Sequence, residues 1–139
     1  MKPFEYFVEE GEVKSSSKNI ALAQSLIRDM NERINELQYI DEKKMPKLVF
    51  EHYYDALRSF CDALLAKDGY KSYSHQASIS YLSTYGYDIS IISALDNFRY
   101  KRNGSKYYGE KISYEDAKEI KDFYDKIRLK IKENTKDLT

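Results

Sequence analysis

A chain of 139 residues is long enough for one hydrophobic core, and its 23 basic and 23 acidic side chains cancel to a formal net charge of zero. This balance argues against a protein that coats nucleic acid over its whole surface, so any such binding must come from a local patch. A single cysteine, an acidic N-terminus and the absence of an apolar run near about 20 residues argue against a disulfide, export and a membrane span, and indicate a cytoplasmic protein.

The first half of the chain predicts two long helices. From Ser17 to Leu37, apolar residues recur at three- and four-residue steps, which is the pattern of an amphipathic helix. A second apolar stripe lies between Pro46, which suits the first turn of a helix, and Gly69, which suits a helix end. The preceding segment, PFEYFVEEG, is interpreted as a helical turn or two packed against the other helices.

The second half predicts three more helices. Ser74 as an N-cap and Gly86 as a stop define a short third helix. A fourth helix begins near Asp88, and Asn103–Gly104 supplies its left-handed exit. Ser113 opens a fifth helix through an approximate capping box.

The arrangement of these elements follows from the connections between them. No convincing run of period-two alternation indicates a strand, and the short connections favour antiparallel neighbours. We therefore predict an all-α, antiparallel up-and-down helical bundle of four to five main helices. It forms a single domain over residues 1–139, with an N-terminal extension at 1–15 and a frayed tail at 135–139.

Several kinds of site lack their sequence signature. The scattered glycines fit no phosphate-binding loop, and neither paired cysteines nor a His-x-x-x-His spacing indicates zinc, so we expect no cofactor or metal. Cys61 lies on the apolar stripe of the second helix, as a core cysteine does. His52 and His75 are isolated histidines, which usually have structural roles. His75 is the better candidate for function, because a neighbouring basic cluster favours its neutral, proton-accepting form.

The segment FRYKRNGSKYYGEK is basic and rich in tyrosine. Arg102 follows Leu95 and Phe98 at helical spacing, so it continues the inward stripe of the fourth helix and needs a partner there. Two interpretations remain open. The cation stabilises the C-terminal end of the helix, or it presents its planar guanidinium to a phosphate.

Two stretches, ALLAKDGYKSYSHQASISYL and LDNFRYKRNGSKYYGEKISYEDAKE, resemble the HEPN superfamily (higher eukaryotes and prokaryotes nucleotide-binding domain). The second is similar to the FRYxRN…KYYG signature of a stand-alone archaeal-type branch, and the likeness extends over most of the chain. The resemblance implies a helical bundle that forms a homodimer. In many members an arginine, a polar residue and a later histidine from each subunit form a metal-independent ribonuclease site at the dimer interface.

Carried over residue by residue, the resemblance places Arg102 at the arginine and Asn103 at the polar residue. Tyr107 stands where the histidine is expected, followed by Tyr108, and a phenol with a pKa of about 10 is a poor base near neutrality. The resemblance therefore implies a nucleotide- or RNA-binding module with a degenerate RNase motif. Arg102 and Tyr107 are its candidate catalytic residues, and binding falls to Asn103, Lys106, Tyr108 and His75.

Two alternatives stay open beside this preferred hypothesis. The first is a working metal-independent endoribonuclease, the toxin of a toxin–antitoxin pair with a nucleotidyltransferase partner, in which Tyr107 or His75 replaces the motif histidine. The second is a non-catalytic protein-interaction bundle in which Arg102 braces the end of a helix.

Overall fold

Helices account for most of the chain, as the apolar periodicity predicts. The computed structural model describes residues 1–139. Its elements in chain order are α1 (Phe4–Glu9), β1 (Val13–Ser15), α2 (Ile20–Glu36), α3 (Pro46–Asp68), β2 (Tyr70–Ser72), α4 (His75–Ser80), α5 (Ile89–Tyr108) and α6 (Tyr114–Thr135). Short 3-10 turns occupy Leu37–Tyr39, Tyr81–Tyr85 and Lys136–Leu138. None of the helices has an apolar stretch long enough to cross a membrane.

The long helices alternate in direction around α3. The amide of Asn19, at the start of α2, donates to the carbonyl of Ala66 near the end of α3 at 2.8 Å, so these two helices are antiparallel. Phe98 of α5 packs edge-on against both Phe50 of α3 and Phe123 of α6, with ring centroids 6.0 and 5.3 Å away. Lys101, later in α5, forms an ion pair with Asp116 at the start of α6, so α5 and α6 are antiparallel. The predicted all-α, up-and-down bundle is confirmed.

The N-terminal ends of the helices follow the capping signals of the sequence. Ser74 accepts a hydrogen bond from the amide of Ala77, and Ser113 forms a capping box with Asp116, as predicted. The first long helix begins at Ile20 instead of Ser17, because the side chain of Asn19 accepts from the amide of Leu22 at 3.0 Å and takes the N-cap position.

The predicted exit of the fourth helix at Asn103–Gly104 is wrong. α5 continues to Tyr108, and the left-handed residue is Gly109, with φ 68°. Gly104 stays helical, and its carbonyl accepts the amide of Glu110 at 3.2 Å, which closes the end of the helix. Gly104 suits this position because the carboxylate of Glu110 lies where a Cβ would stand.

Two further expectations need correction. Residues 13–15 and 70–72 form a two-stranded antiparallel sheet, although neither is long enough to show alternation. The tail at 135–139 does not fray, because Leu138 is only 4% exposed and Asp137 forms an ion pair with Lys67 at 2.9 Å. The apolar side chain and the ion pair together hold the tail against the end of α3.

We expect Gly69→Ala to lower the free energy of unfolding more than Gly109→Ala. Both glycines have positive φ, which costs an L-residue about 1–2 kcal/mol. At Gly69 a Cβ would also lie 2.8 Å from the carbonyl oxygen of Ser16, a backbone atom of the neighbouring chain segment, whereas at Gly109 it would meet nothing within 4 Å. Urea unfolding measures both variants, and equal losses would contradict this account.

Candidate functional site

Arg102 points inward from α5, as its spacing predicts. Its side chain is 15% exposed, and its Nη2 lies 3.8 Å from Oδ1 of Asp55 on α3 of the same chain. Its Cζ lies 5.4 Å from the ring centroid of Tyr54, a cation–π arrangement. Arg102 is therefore already partnered by a carboxylate and an aromatic ring of its own chain. A phosphate would have to compete with these groups to bind it.

Asp55 is shared between two guanidinium groups. Its Oδ2 lies 3.5 Å from Nη1 of Arg33, which comes from α2. Arg33 in turn donates from Nε to Asp29 at 3.0 Å, and the hydroxyl of Ser59 donates to the same carboxylate at 3.0 Å. One carboxylate thus serves both Arg33 and Arg102, and it neutralises Arg102 only in part.

Asn103, Tyr107 and Tyr108 lie on another side of α5 from Arg102. At about 100° per residue, Tyr107 lies about 140° around the helix from Arg102. Asn103, Tyr107 and Tyr108 line a separate groove of about 340 Å³ together with Arg99. Tyr107 and Tyr108 are 65% and 81% exposed. Within one chain, Arg102 and Tyr107 therefore do not meet at a common site.

His75, in the first turn of α4, lies at a larger cleft of about 350 Å³ between α2, α3, β2 and α4. Arg58 and Asp62 of α3 line the same cleft, and their side chains approach each other to 3.8 Å. Its apolar wall includes Leu22, Leu26, Leu65, Ala66 and Tyr70. The cleft thus combines an apolar wall with a histidine and a partly exposed arginine.

The surroundings of His75 keep its imidazole neutral. Burial lowers the pKa of His75 to about 4, and the positive charges of Arg58, Arg102, Arg99 and Lys106 act in the same direction. The sequence predicted a neutral His75 beside a basic cluster, and the direction of this pKa shift agrees. At neutral pH the ring has one nitrogen that accepts a proton and one that donates a hydrogen bond.

We call Arg58, Arg99, Arg102 and Lys106 the cationic cluster. Three carboxylates partly balance it: Asp62 beside Arg58, Asp96 at 2.7 Å from Arg99, and Asp55 beside Arg102. Lys106 is exposed and belongs to none of the ion pairs of the chain. The cluster therefore retains excess positive charge next to a neutral histidine, which is an environment that attracts an anion.

The sequence interpretation did not identify the residues that α3 contributes to this site. Tyr54, Arg58 and Asp62 follow one another at four-residue intervals, so they share one face of α3. Burial raises the pKa of the Tyr54 phenol, which stays protonated, and burial also raises the pKa of the Asp62 carboxyl, against Ser78 and Arg58, which lower it. The polar stripe within a buried helix was the signal that could have located them.

The chain matches no family model, no curated protein and no solved structure. The HEPN resemblance consequently remains a prediction. The contacts and charges around His75 indicate a site independently of this resemblance.

We expect the imidazole of His75 to titrate near pH 4 in an NMR titration of the folded protein. Lys106→Ala should raise this pKa, because it removes a positive charge that disfavours the imidazolium, while Lys132→Ala, on α6, should not change it. The folded pKa lies below the reference of about 6.5. The neutral imidazole therefore contributes fully to the free energy of unfolding above about pH 6.5, and this contribution is lost as the pH falls towards 4.

The pH dependence of unfolding provides the matching control. Between pH 6.5 and 4, the free energy of unfolding of His75→Gln should fall less than that of the unsubstituted chain, because the variant has no imidazole to protonate. A His75 that titrates at 6.5 or above would contradict the neutral imidazole on which the site depends.

Proposed function

We propose that this chain binds the phosphate group of a nucleotide or of RNA in the cleft beside His75. Arg58 supplies the guanidinium that meets the phosphate, and His75 donates a hydrogen bond from its neutral ring. Arg102 and Arg99 contribute positive potential from behind these groups. The apolar wall formed by Leu22 and its neighbours receives the base.

One observation carries this proposal. Burial and the charges of four cations from α3 and α5 lower the pKa of a half-buried histidine, and that histidine and Arg58 border a cleft of about 350 Å³. Small-molecule sites occupy about 300–1,000 Å³ and combine apolar walls with a few polar groups that fix orientation. An anion with a planar apolar part matches both the charge and the lining of this cleft.

The groove on the other side of α5 has a secondary role in the proposal. Tyr107 and Tyr108 expose their rings there, and exposed aromatic rings stack on bases of single-stranded nucleic acid with little sequence preference. Asn103 lies in the same groove and offers hydrogen bonds. A longer RNA that extends from the cleft would reach these residues, and the positive charges of Lys106 and Arg99 would attract its phosphates.

We expect Arg58→Ala to weaken binding of a labelled RNA by roughly tenfold to a hundredfold, since a hydrogen bond to a charged group contributes about 1.5–3 kcal/mol. Lys106→Ala should weaken it less and reduce the slope of log affinity against log salt by about 0.7. Lys132→Ala is the control with the same change in charge, and it should bind as the unsubstituted chain does. Fluorescence anisotropy at several salt concentrations measures all three.

Arg102→Ala separates binding from structure. This substitution removes the ion pair to Asp55 and the contact with Tyr54, so the variant should melt at a lower temperature and bind only modestly less tightly. If Arg58→Ala and Lys106→Ala bind RNA as tightly as the unsubstituted chain, the cleft is not a phosphate site. The protein-interaction bundle is then the hypothesis that survives.

A metal-independent ribonuclease is the second candidate, and the neutral state of His75 is the observation that favours it. In such a reaction the imidazole accepts the proton of a ribose 2′-hydroxyl, and the 2′-oxygen attacks the phosphorus. The imidazolium then returns this proton to the 5′-oxygen as its bond to phosphorus breaks, which yields a cyclic phosphate and a 5′-hydroxyl. A pKa of about 4 makes His75 a weak base, but a bound phosphate would raise that pKa towards neutrality.

If the chain cleaves RNA, cleavage should proceed in the presence of EDTA and fall at least a hundredfold in His75→Ala, as the loss of a general base commonly requires. Tyr107→Phe should leave the rate unchanged, because Tyr107 lies on another side of α5. Gel analysis of a labelled transcript measures both. An RNA that stays intact after long incubation with the unsubstituted chain removes this candidate and leaves the binding proposal unaffected.

A further inference from the structure

The small sheet places two lysines directly opposite each other. Lys14 of β1 is the register partner of Lys71 of β2. Neither belongs to any ion pair of the chain, and the nearby Glu12 forms none either. Like charges at directly opposite positions destabilise a sheet. The chain thus retains two ammonium groups without a carboxylate partner at directly opposite positions of the sheet.

Both ammonium groups lie over one aromatic ring. The Nζ atoms of Lys14 and Lys71 are 5.9 and 5.5 Å from the ring centroid of Tyr73. Tyr73 comes directly after β2 and follows Lys71 by two residues. The ring of Tyr73 is 61% exposed. We call Lys14, Lys71 and Tyr73 the lysine–tyrosine platform.

The platform is continuous with the cleft. Lys71 and Tyr73 line the cleft together with Arg58 and His75, and only two residues separate Lys71 from Ser74, the N-cap of the helix that carries His75. A ligand that leaves the cleft on this side therefore meets the platform next.

We propose that the platform is a second subsite for single-stranded nucleic acid, and that the ligand of the cleft is an oligonucleotide rather than a free mononucleotide. This inference rests on the function proposed for the cleft. Lys14 and Lys71 would bind a phosphate beyond the one at Arg58, and Tyr73 would stack on the adjoining base, which is how proteins hold single strands without sequence readout.

A purely protective role for the lysines explains less of the geometry. Charged side chains on a sheet edge discourage pairing with other chains. That role requires neither an exposed tyrosine ring beneath both ammonium groups nor continuity with a cleft that contains Arg58 and His75. Binding of consecutive phosphates and bases requires both features.

The test compares two ligands that differ in length, a fluorescein-labelled oligoadenylate of about twelve nucleotides and 5′-AMP. We expect the double variant Lys14→Ala/Lys71→Ala to bind the oligonucleotide about tenfold more weakly, with a salt slope smaller by about 1.4. It should lose less affinity for AMP, because Lys71 lines the cleft but Lys14 does not. The control Lys126→Ala/Lys132→Ala removes the same charge from α6 and should change neither affinity. The double variant relieves a repulsion between like charges but also removes two cation–π contacts with Tyr73, so its thermal unfolding is measured alongside binding.

Substitutions of Tyr73 test the stacking contact separately. Tyr73→Phe should keep the affinity for the oligonucleotide, and Tyr73→Ala should lower it by about tenfold, since stacking needs the ring and not the hydroxyl. Equal affinity of Tyr73→Ala and the unsubstituted chain would overturn the base-stacking part of the proposal.

The remaining outcomes separate this inference from the function of the cleft. If the double variant binds the oligonucleotide normally while Arg58→Ala loses both ligands, the platform is not a subsite and the cleft proposal stands. If the unsubstituted chain binds neither ligand, the cleft proposal fails and this inference fails with it. If polyglutamate binds as tightly as the oligonucleotide and loses affinity in the same double variant, the platform recognises acidic polypeptide and the nucleic-acid assignment is overturned.

Discussion

The central helix α3 is covered by other helices on most sides, so a charged side chain on a covered side needs a partner of opposite charge there. Asp55 meets this requirement because it forms ion pairs with Arg33 of α2 and Arg102 of α5. Removing charges from water offsets much of the Coulomb attraction of such pairs. We therefore infer that this network sets the position of α2 and α5 along α3 more than it adds to stability.

The same constraint creates the positive potential at the cleft. α5 must turn Arg102 towards Asp55, and helical spacing then places Arg99 and Lys106 on adjoining faces. These cations act together with Arg58 of α3 on His75, whose burial already disfavours protonation. The carboxylates beside the cluster are fewer than its cations, so the excess charge at the cleft is a by-product of how two helices pack.

Local signals in the sequence predicted the helices, but not what the helices bring together. Apolar periodicity and N-caps depend only on residues close in sequence, so the helices and the N-caps Ser74 and Ser113 were predicted correctly. The predicted end of α5 was wrong because the sequence does not show which glycine adopts the left-handed conformation. Gly104 is helical and packs against Glu110, and Gly109 ends the helix. The cleft could not be predicted, because Arg58 and His75 meet only through the packing of α3 and α4.

The geometry at His75 depends on the N-terminal segment, which pattern alone treated as an extension. Left-handed Gly69 turns the chain from α3 into β2, where β1 pairs with it and the carbonyl of Glu12 accepts the amide of Tyr73 at 2.8 Å. Beyond the sheet, the hydroxyl of Ser72 donates to the carbonyl of Ser74 at 2.7 Å and orders the cap of α4. The sheet thus fixes the direction of the first turn of α4 and, because His75 is in that turn, the position of its imidazole. A strand of three residues near the N-terminus is therefore part of the structure that forms the cleft.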